Sequence, residues 1–292
     1  MKKNEQYHSH FQTAGILKGI FLILLLGFSI QTFAAPVPKR IITLSGALTE
    51  TVDALGLGKS IVAVDITSIY PAYVNSLPKV SKNRSVSAEG LISFNPDLVL
   101  APEGSVSKEI AYQLTAAGIK LITIKQEYSA GGAVSFIKAV AAALQVPQKG
   151  EVLARQTQAR IAKAVATIKR TNKLPKVLFI YARGTGVMLV AGQHTNIDAV
   201  ITLAGGKNAA QGFDNFKPYT TEALIEANPD VILMFDFGLS SLGGEDAVLK
   251  MPGVAGTTAG KNKRIVQMDA GLLTNFSVRL DQAVTRLNKH LQ

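Results

Sequence analysis

The sequence predicts an α/β protein of two lobes, each built on a mostly parallel sheet, joined by one long interlobe helix. Three observations predict it. Residues 87–100 read SAEGLISFNPDLVL, and residues 220–233 read TTEALIEANPDVIL. Glu89 matches Glu222, Leu91-Ile92 matches Leu224-Ile225, and Asn95-Pro96-Asp97 matches Asn228-Pro229-Asp230. Short apolar runs alternate with helical stretches on both sides of mid-chain, the pattern of a parallel sheet with helices on its faces. Between the repeats, residues 148–171 form a long stretch with no Gly or Pro after position 150. Each repeat has one local plan: a polar start with a carboxylate in the first helical turn, a short apolar helix, an Asn-Pro-Asp stop, then an apolar strand. The residue before a proline is restricted to extended backbone, so the helix is expected to end there through an extended Asn. Two copies of this plan imply two Rossmann-like lobes with a cleft between them.

Residues 1–34 read as a secretory signal peptide. Lys2, Lys3 and Lys18 precede the apolar run 20–30, and Thr32 and Ala34 occupy small-residue positions before a cleavage site placed after Ala34. The run is short for a membrane span, which needs ~20 residues. The chain has 0 Cys, which excludes a lipid-modified cysteine, disulfides and thiolate metal sites. A periplasmic location is expected. The signal segment holds three of the 31 basic residues and one of the 20 acidic ones, which leaves 28 and 19 in the mature chain. The basic residues are scattered, with no run like a nucleic-acid arm. An anionic small ligand or membrane surface suits this excess, and so does plain solubility.

Along the mature chain, 41–44 reads as a strand, 47–55 as a helix stopped by Gly56, and 61–64 as a strand entering the loop 65–77. The first repeat supplies a helix and the strand 98–101. Residues 110–117 are helical to Gly118, 121–124 is a strand and 133–144 a helix. Residues 148–171 carry apolar positions at helical spacing, with Glu151 early and Lys169-Arg170 late, the polarity that suits the helix dipole. Twenty-four such residues would extend ~36 Å. The pattern resumes with strands at 177–181 and 187–190, a helix at 196–203, the second repeat with its strand 231–235, a strand at 264–268 and a final helix at 278–291. The expected division is a signal peptide at 1–34, an N-terminal lobe at 35–146, a connecting helix at 147–174 and a C-terminal lobe at 175–292.

Ligands of open α/β sheets bind beyond the carboxyl ends of the strands. Three loops leave such ends: 65–71 (DITSIYP), 181–186 (YARGTG) and 236–238 (DFG). Enzyme signatures are poor. Only His194 and His290 remain in the mature chain, too few for a catalytic or structural zinc site. There is no Gly-x-Ser-x-Gly elbow. Gly56-Leu57-Gly58-Lys59-Ser60 lacks the spacing of a phosphate loop, and Gly184-Thr185-Gly186 lacks the last glycine of a dinucleotide fingerprint.

The paired repeats, with Thr67-Ser68-Ile69-Tyr70-Pro71, Asn83-Arg84, Ser87-Ala88-Glu89-Gly90, 204–209 (AGGKNA) and 217–222 (KPYTTE), carry a resemblance. The mature chain resembles the periplasmic haem (hemin)-binding proteins of bacterial haem ABC importers. These are class III binding proteins, the class that includes cobalamin and ferric-siderophore binders. The resemblance implies a binding protein, not an enzyme. It would capture haem in the cleft and deliver it as a monomer to a permease dimer in the inner membrane, with no nucleic acid involved. It places the haem iron's axial ligand at Tyr70, where a hard phenolate suits ferric iron. A nearby cation would favour the phenolate, and Arg183 of the opposite lobe is the candidate. Arg183 and Arg84 are also candidates for the haem propionates. Tyr73 is the neighbouring competitor for the iron. Family members with a second-lobe histidine ligand differ from this chain, which has Tyr181-Ala182-Arg183 there. Glu89 and Glu222 are the implied docking residues, one per lobe, for arginines of the permease. A carboxylate in a first helical turn also offsets the helix dipole, which is the plainer reading of both. A siderophore or cobalamin binder of the same class is the alternative, and a haem-modifying enzyme a remoter one.

Overall fold

A computed structural model describes residues 36–80, 85–168 and 173–292. The expected signal peptide, Asn83-Arg84 and Lys169-Arg170 lie outside those residues.

The chain opens with β1 (Ile41–Thr43), α1 (Gly46–Val52) and β2 (Ile61–Val64). The first repeat gives α2 (Ala88–Ile92) and β3 (Leu98–Pro102), followed by α3 (Lys108–Ala116), β4 (Lys120–Ile124) and α4 (Ala130–Ala143). The four strands are parallel, in the order β2-β1-β3-β4. One face of this sheet buries Ile41, Leu98, Leu100 and Phe136, and the other buries Ile42, Val99, Leu91 and Leu114. That two-sided burial explains why β3 reads as an unbroken apolar run.

Next comes α5 (Pro147–Ala166), the long helix expected at 148–171. Pro147 sits in its first turn, where a missing N–H costs nothing. The helix has 20 residues, about 30 Å. Among the described residues it stops at Ala166, short of the expected end.

The second half has β5 (Lys176–Ala182), β6 (Met188–Ala191), α6 (Asn196–Leu203), β7 (Lys207–Asn208) and β8 (Phe216–Pro218). The second repeat supplies α7 (Thr221–Ala227) and β9 (Val231–Phe235). Then come α8 (Asp236–Ser241), α9 (Glu245–Leu249), α10 (Thr258–Lys261), β10 (Ile265–Met268), α11 (Ala270–Thr274) and α12 (Leu280–Leu291). The sheet runs β10-β9-β5-β6-β8, with β7 on β5. Strands β10, β9 and β5 are parallel, but β6 is antiparallel to both β5 and β8. The segment expected at 187–190 is thus the return arm of a hairpin, because only five residues separate β6 from β5. A parallel crossover needs a dozen or more.

The repeated turn works differently from the expectation. Asn95 and Asn228 are not extended. They adopt φ of 45° and 39°, the left-handed region that Asn tolerates better than most residues. The Asp two residues on does the same work in both lobes. Asp97 Oδ2 accepts from the backbone N–H groups of Lys39 (2.8 Å) and Arg40 (3.0 Å). Asp230 Oδ2 accepts from the N–H of Lys176 (2.8 Å). Each repeat therefore ties its own strand to the start of the neighbouring first strand of its lobe.

The two halves share packing. α5 lies against α4 on one side and α12 on the other. Ile137, Ala154 and Val278 form a small buried cluster that draws on α4, α5 and the segment before α12.

Candidate functional site

The carboxyl ends of β2, β5 and β9 lead into the loops that carry the candidate residues. In the first lobe, a ladder of hydroxyls holds the start of the loop after β2. Thr43 Oγ1 meets Thr49 Oγ1 at 2.7 Å, and Thr49 Oγ1 meets Ser68 Oγ at 2.7 Å. Ser68 donates to Asp65 Oδ1 at 2.5 Å, and the Thr67 N–H donates to Asp65 Oδ2 at 2.9 Å. Lys79 Nζ donates to the Ser68 carbonyl at 2.7 Å. Ser68 is fully buried, yet the residues on either side of it stay at the surface. Ile66, Ile69 and Tyr70 are 41 %, 43 % and 46 % exposed. The polar half of this motif is thus its anchor, and the apolar half is what it displays.

Tyr70 and Tyr73 occupy different settings. The Tyr73 hydroxyl donates to Asp53 Oδ1 at 2.6 Å. Burial, and then the Asp53 carboxylate, push the Tyr73 phenol above its ordinary range, which opposes formation of a phenolate ligand. Among the described residues, nothing hydrogen-bonds the Tyr70 hydroxyl. A cation does lie on its ring: the Arg279 guanidinium carbon is 3.8 Å from the ring centroid.

That cation was expected to be Arg183. Instead, Arg183 Nε donates to Tyr181 Oη in its own lobe at 2.9 Å, and its guanidinium lies 4.6 Å over the Phe237 ring. Arg183 is the first residue past β5, and its side chain folds back onto Tyr181 near the end of that strand. Arg84 lies outside the described residues.

Sequence reasoning missed the aromatic wall around Arg183. Tyr181 stands edge-on to Phe235 and Phe237, at centroid distances of 6.1 and 6.0 Å, and Phe235 lies 5.3 Å from Phe237. Phe237 belongs to α8, which starts directly at the end of β9 and carries the ring to the sheet's carboxyl edge. The signal was present as two strand ends, each finishing in an aromatic residue, but their adjacency depends on β5 pairing with β9.

Sequence reasoning also missed the link between the lobes. Glu50, on α1, accepts from Arg279 Nε at 2.8 Å, from Arg279 Nη2 and from Asn275 Nδ2 at 2.8 Å. The Glu50 side chain is 0 % exposed and that of Arg279 12 %. Burial raises the Glu50 carboxyl above its ordinary range, against the opposing pull of Arg279 and Asn275. Thr51 Oγ1 meets Ser277 Oγ at 2.7 Å, Gln126 Nε2 donates to the Phe276 carbonyl at 3.0 Å, and Tyr128 stands edge-on to Phe276 at 5.6 Å. Segment 274–279 of the second half is thus bound to the first half.

Glu89 and Glu222 are exposed and occupy equivalent places. Each stands two residues after an N-cap hydroxyl: Ser87 Oγ accepts from the Gly90 N–H at 3.1 Å, and Thr220 Oγ1 from the Ala223 N–H at 3.1 Å. Among the described residues, no cluster of three or more His, Cys, Asp or Glu could hold a bare metal ion, and no helix is long and apolar enough to cross a membrane. These strand-end loops offer the exposed Tyr70 oxygen, the Tyr181 oxygen held by Arg183, apolar and aromatic side chains, and guanidinium groups. That set suits a flat apolar ligand with acidic edges and a hard metal centre.

The family model described as "Periplasmic binding protein" matches residues 41–272. The chain belongs to that family. Its two-lobed α/β architecture is that of class III binding proteins. A periplasmic heme-binding protein from Roseiflexus sp. RS-1, solved in apo form, is 42% identical with a TM-score of 0.83; the match covers 87% of this chain and 97% of that one. The heme-binding protein HutB of Vibrio cholerae is 33% identical with a TM-score of 0.77, over 86% of this chain and 97% of that one. A vitamin B12-binding protein of Vibrio vulnificus (strain CMCP6) is 30% identical over 91% of this chain and 94% of its own length. These neighbours are binding proteins.

Proposed function

We propose that this chain captures haem in the interlobe cleft and hands it to an ABC importer of the inner membrane. The observation that carries this reading is the 42% identity, over 87% of the chain, to a structure of a heme-binding protein. The chemistry of the cleft supports it. Burying the faces of a macrocycle against Ile66, Ile69, Tyr181 and Phe237 supplies affinity at about 25 cal/mol per Å² of apolar area. The Tyr70 oxygen ligates the iron. Free tyrosine ionises near pH ~10, so ferric iron itself drives loss of the proton on binding. Arg183 sits at the rim of the aromatic wall, where it is placed to meet a propionate.

The remaining parts follow from the same reading. Residues 1–34 direct export and are removed, and the monomer works in the periplasm. Its lobes span 35–146 and 175–292 about the connecting segment 147–174. Glu89 and Glu222 dock one lobe to each permease subunit. The chain binds and releases its cargo without altering it.

Cobalamin is the second reading, favoured by the Vibrio vulnificus relative. Titrating apo-protein with hemin and, separately, with cyanocobalamin divides the two. Haem capture predicts a Soret band and a phenolate-to-iron charge-transfer band with hemin, and no response to cyanocobalamin. Tyr70→Phe removes the charge-transfer band, while Arg183→Ala keeps it and weakens affinity. Saturable binding of cyanocobalamin alone would overturn the reading.

A further inference from the structure

Among the cleft residues, Arg279 has an unusual pair of neighbours. One side of its guanidinium is held by a carboxylate from the other lobe, and one face carries the Tyr70 ring. We propose that Arg279 is a positioning residue. A buried ion pair across the lobe boundary locks its guanidinium, and the locked guanidinium sets the orientation of the Tyr70 ring. This rests on the reading of Tyr70 as the iron ligand.

The carboxylate grips the guanidinium at two nitrogens, Nε to Glu50 Oε2 at 2.8 Å and Nη2 to Oε1. A bidentate pair fixes the guanidinium plane as well as its place. Asn275 occupies the remaining side of Glu50 Oε1 at 2.8 Å. The room for Asn275 comes from Gly46, where an added Cβ would fall 2.4 Å from its Nδ2. Stability alone does not account for such a pair. A buried ion pair is often replaceable by apolar residues of similar volume at no loss, whereas its fixed geometry is harder to reproduce. Here the geometry has a second user. Tyr70 is 46 % exposed and stands on an exposed loop, yet its ring lies 3.8 Å from a guanidinium held at two nitrogens by Glu50. The ring plane is thereby set by Glu50, a residue of the buried lobe boundary that never meets the ligand.

The test uses full-length mature protein and the variants Arg279→Lys, Tyr70→Phe and their double. Lysine keeps a positive charge against Glu50 but has no plane to stack. The near-UV circular dichroism of Tyr70, read as the difference between wild type and Tyr70→Phe, needs no ligand. It is expected to collapse in Arg279→Lys while far-UV signals stay. Hemin affinity is expected to fall at least tenfold in Arg279→Lys, with a displaced charge-transfer band. In the Tyr70→Phe background the same change is expected to alter affinity less than twofold, because the ring it positions has lost its oxygen. An unchanged near-UV signal, or an equal affinity loss in both backgrounds, overturns the proposal. If Arg279→Lys does not fold, Glu50→Gln/Arg279→Gln removes both buried charges together, with the same readouts and the same expectations. A wild-type protein without any hemin response would sink the haem reading, and the ligand-free signal would still decide the role of Arg279.

Discussion

Asp97 and Asp230 show how far single residues could be read from the sequence. Their repetition was visible, and so was a stop between helix and strand. Their partners were not, because each carboxylate reaches a backbone N–H more than fifty residues earlier. Tyr70 and Tyr73 differ for the same reason. Both follow the same buried serine within five residues, and only the placement of Asp53 tells which oxygen is engaged. Arg183 was visible as a cation at a strand end, whereas the partner of Tyr70 came from a position over two hundred residues away. The twin aspartates lead to a residue-scale prediction. Asp230→Ala removes a charge-assisted bond to a half-buried N–H, at a cost of about 1–3 kcal/mol. Asp97→Ala is expected to cost less, since Asp97 is exposed and water replaces it. Urea unfolding of both variants checks this; equal midpoints to wild type would show that the turn does not anchor the strand.

Most elements were legible because their signals are local. Serine and threonine N-caps start α1, α2, α3, α4, α6 and α7, and each accepts a backbone N–H. The strands β2 and β9 and the helix α6 match their expected bounds. The missed elements are short. β7 has 2 residues and β8 has 3, too few to show a period. The helices from α8 to α11 are 4 to 6 residues long and follow directly on turns or strand ends. The contact between α4 and α5 was also hidden, although its device stands in the sequence as a lone glycine inside a helix. A Cβ on Gly150 would lie 2.3 Å from the Ala141 Cβ, so the helices approach at the expense of a side chain. Gly150→Ala gains about 1 kcal/mol of helix propensity, but overpacking costs about 1–3 kcal/mol. We expect a net loss of stability in thermal unfolding. In an Ala141→Gly background the same substitution should become neutral or stabilising. Stabilisation by Gly150→Ala alone would mean that the helices can separate without penalty.

At the scale of the molecule, the repeat and the lobe boundary act together. The repeat gives each lobe an equivalent exposed carboxylate at a helix start. In both lobes that helix runs back toward the start of the next parallel strand, so its N-terminus points to the cleft end of the sheet. The Glu50–Arg279 pair, the Thr51–Ser277 bond and the packing of α5 on α4 and α12 join the two lobes that carry these carboxylates. On the docking proposal, each lobe presents one of these carboxylates to the importer, and single-helix dipole compensation does not require a matched pair. Under the proposed docking, Glu89→Lys/Glu222→Lys turns both attractions into repulsions without touching the cleft. Hemin titration of that variant should match wild type. Its unfolding free energy should fall only by the dipole terms, about 0.3–1 kcal/mol at each site. Haem-stimulated ATP hydrolysis by the importer in proteoliposomes should fall at least tenfold. Each single variant should fall part of the way, most clearly at low salt, where exposed charges are least screened. Wild-type stimulation by the double variant would leave helix-dipole compensation as the sole role of both glutamates.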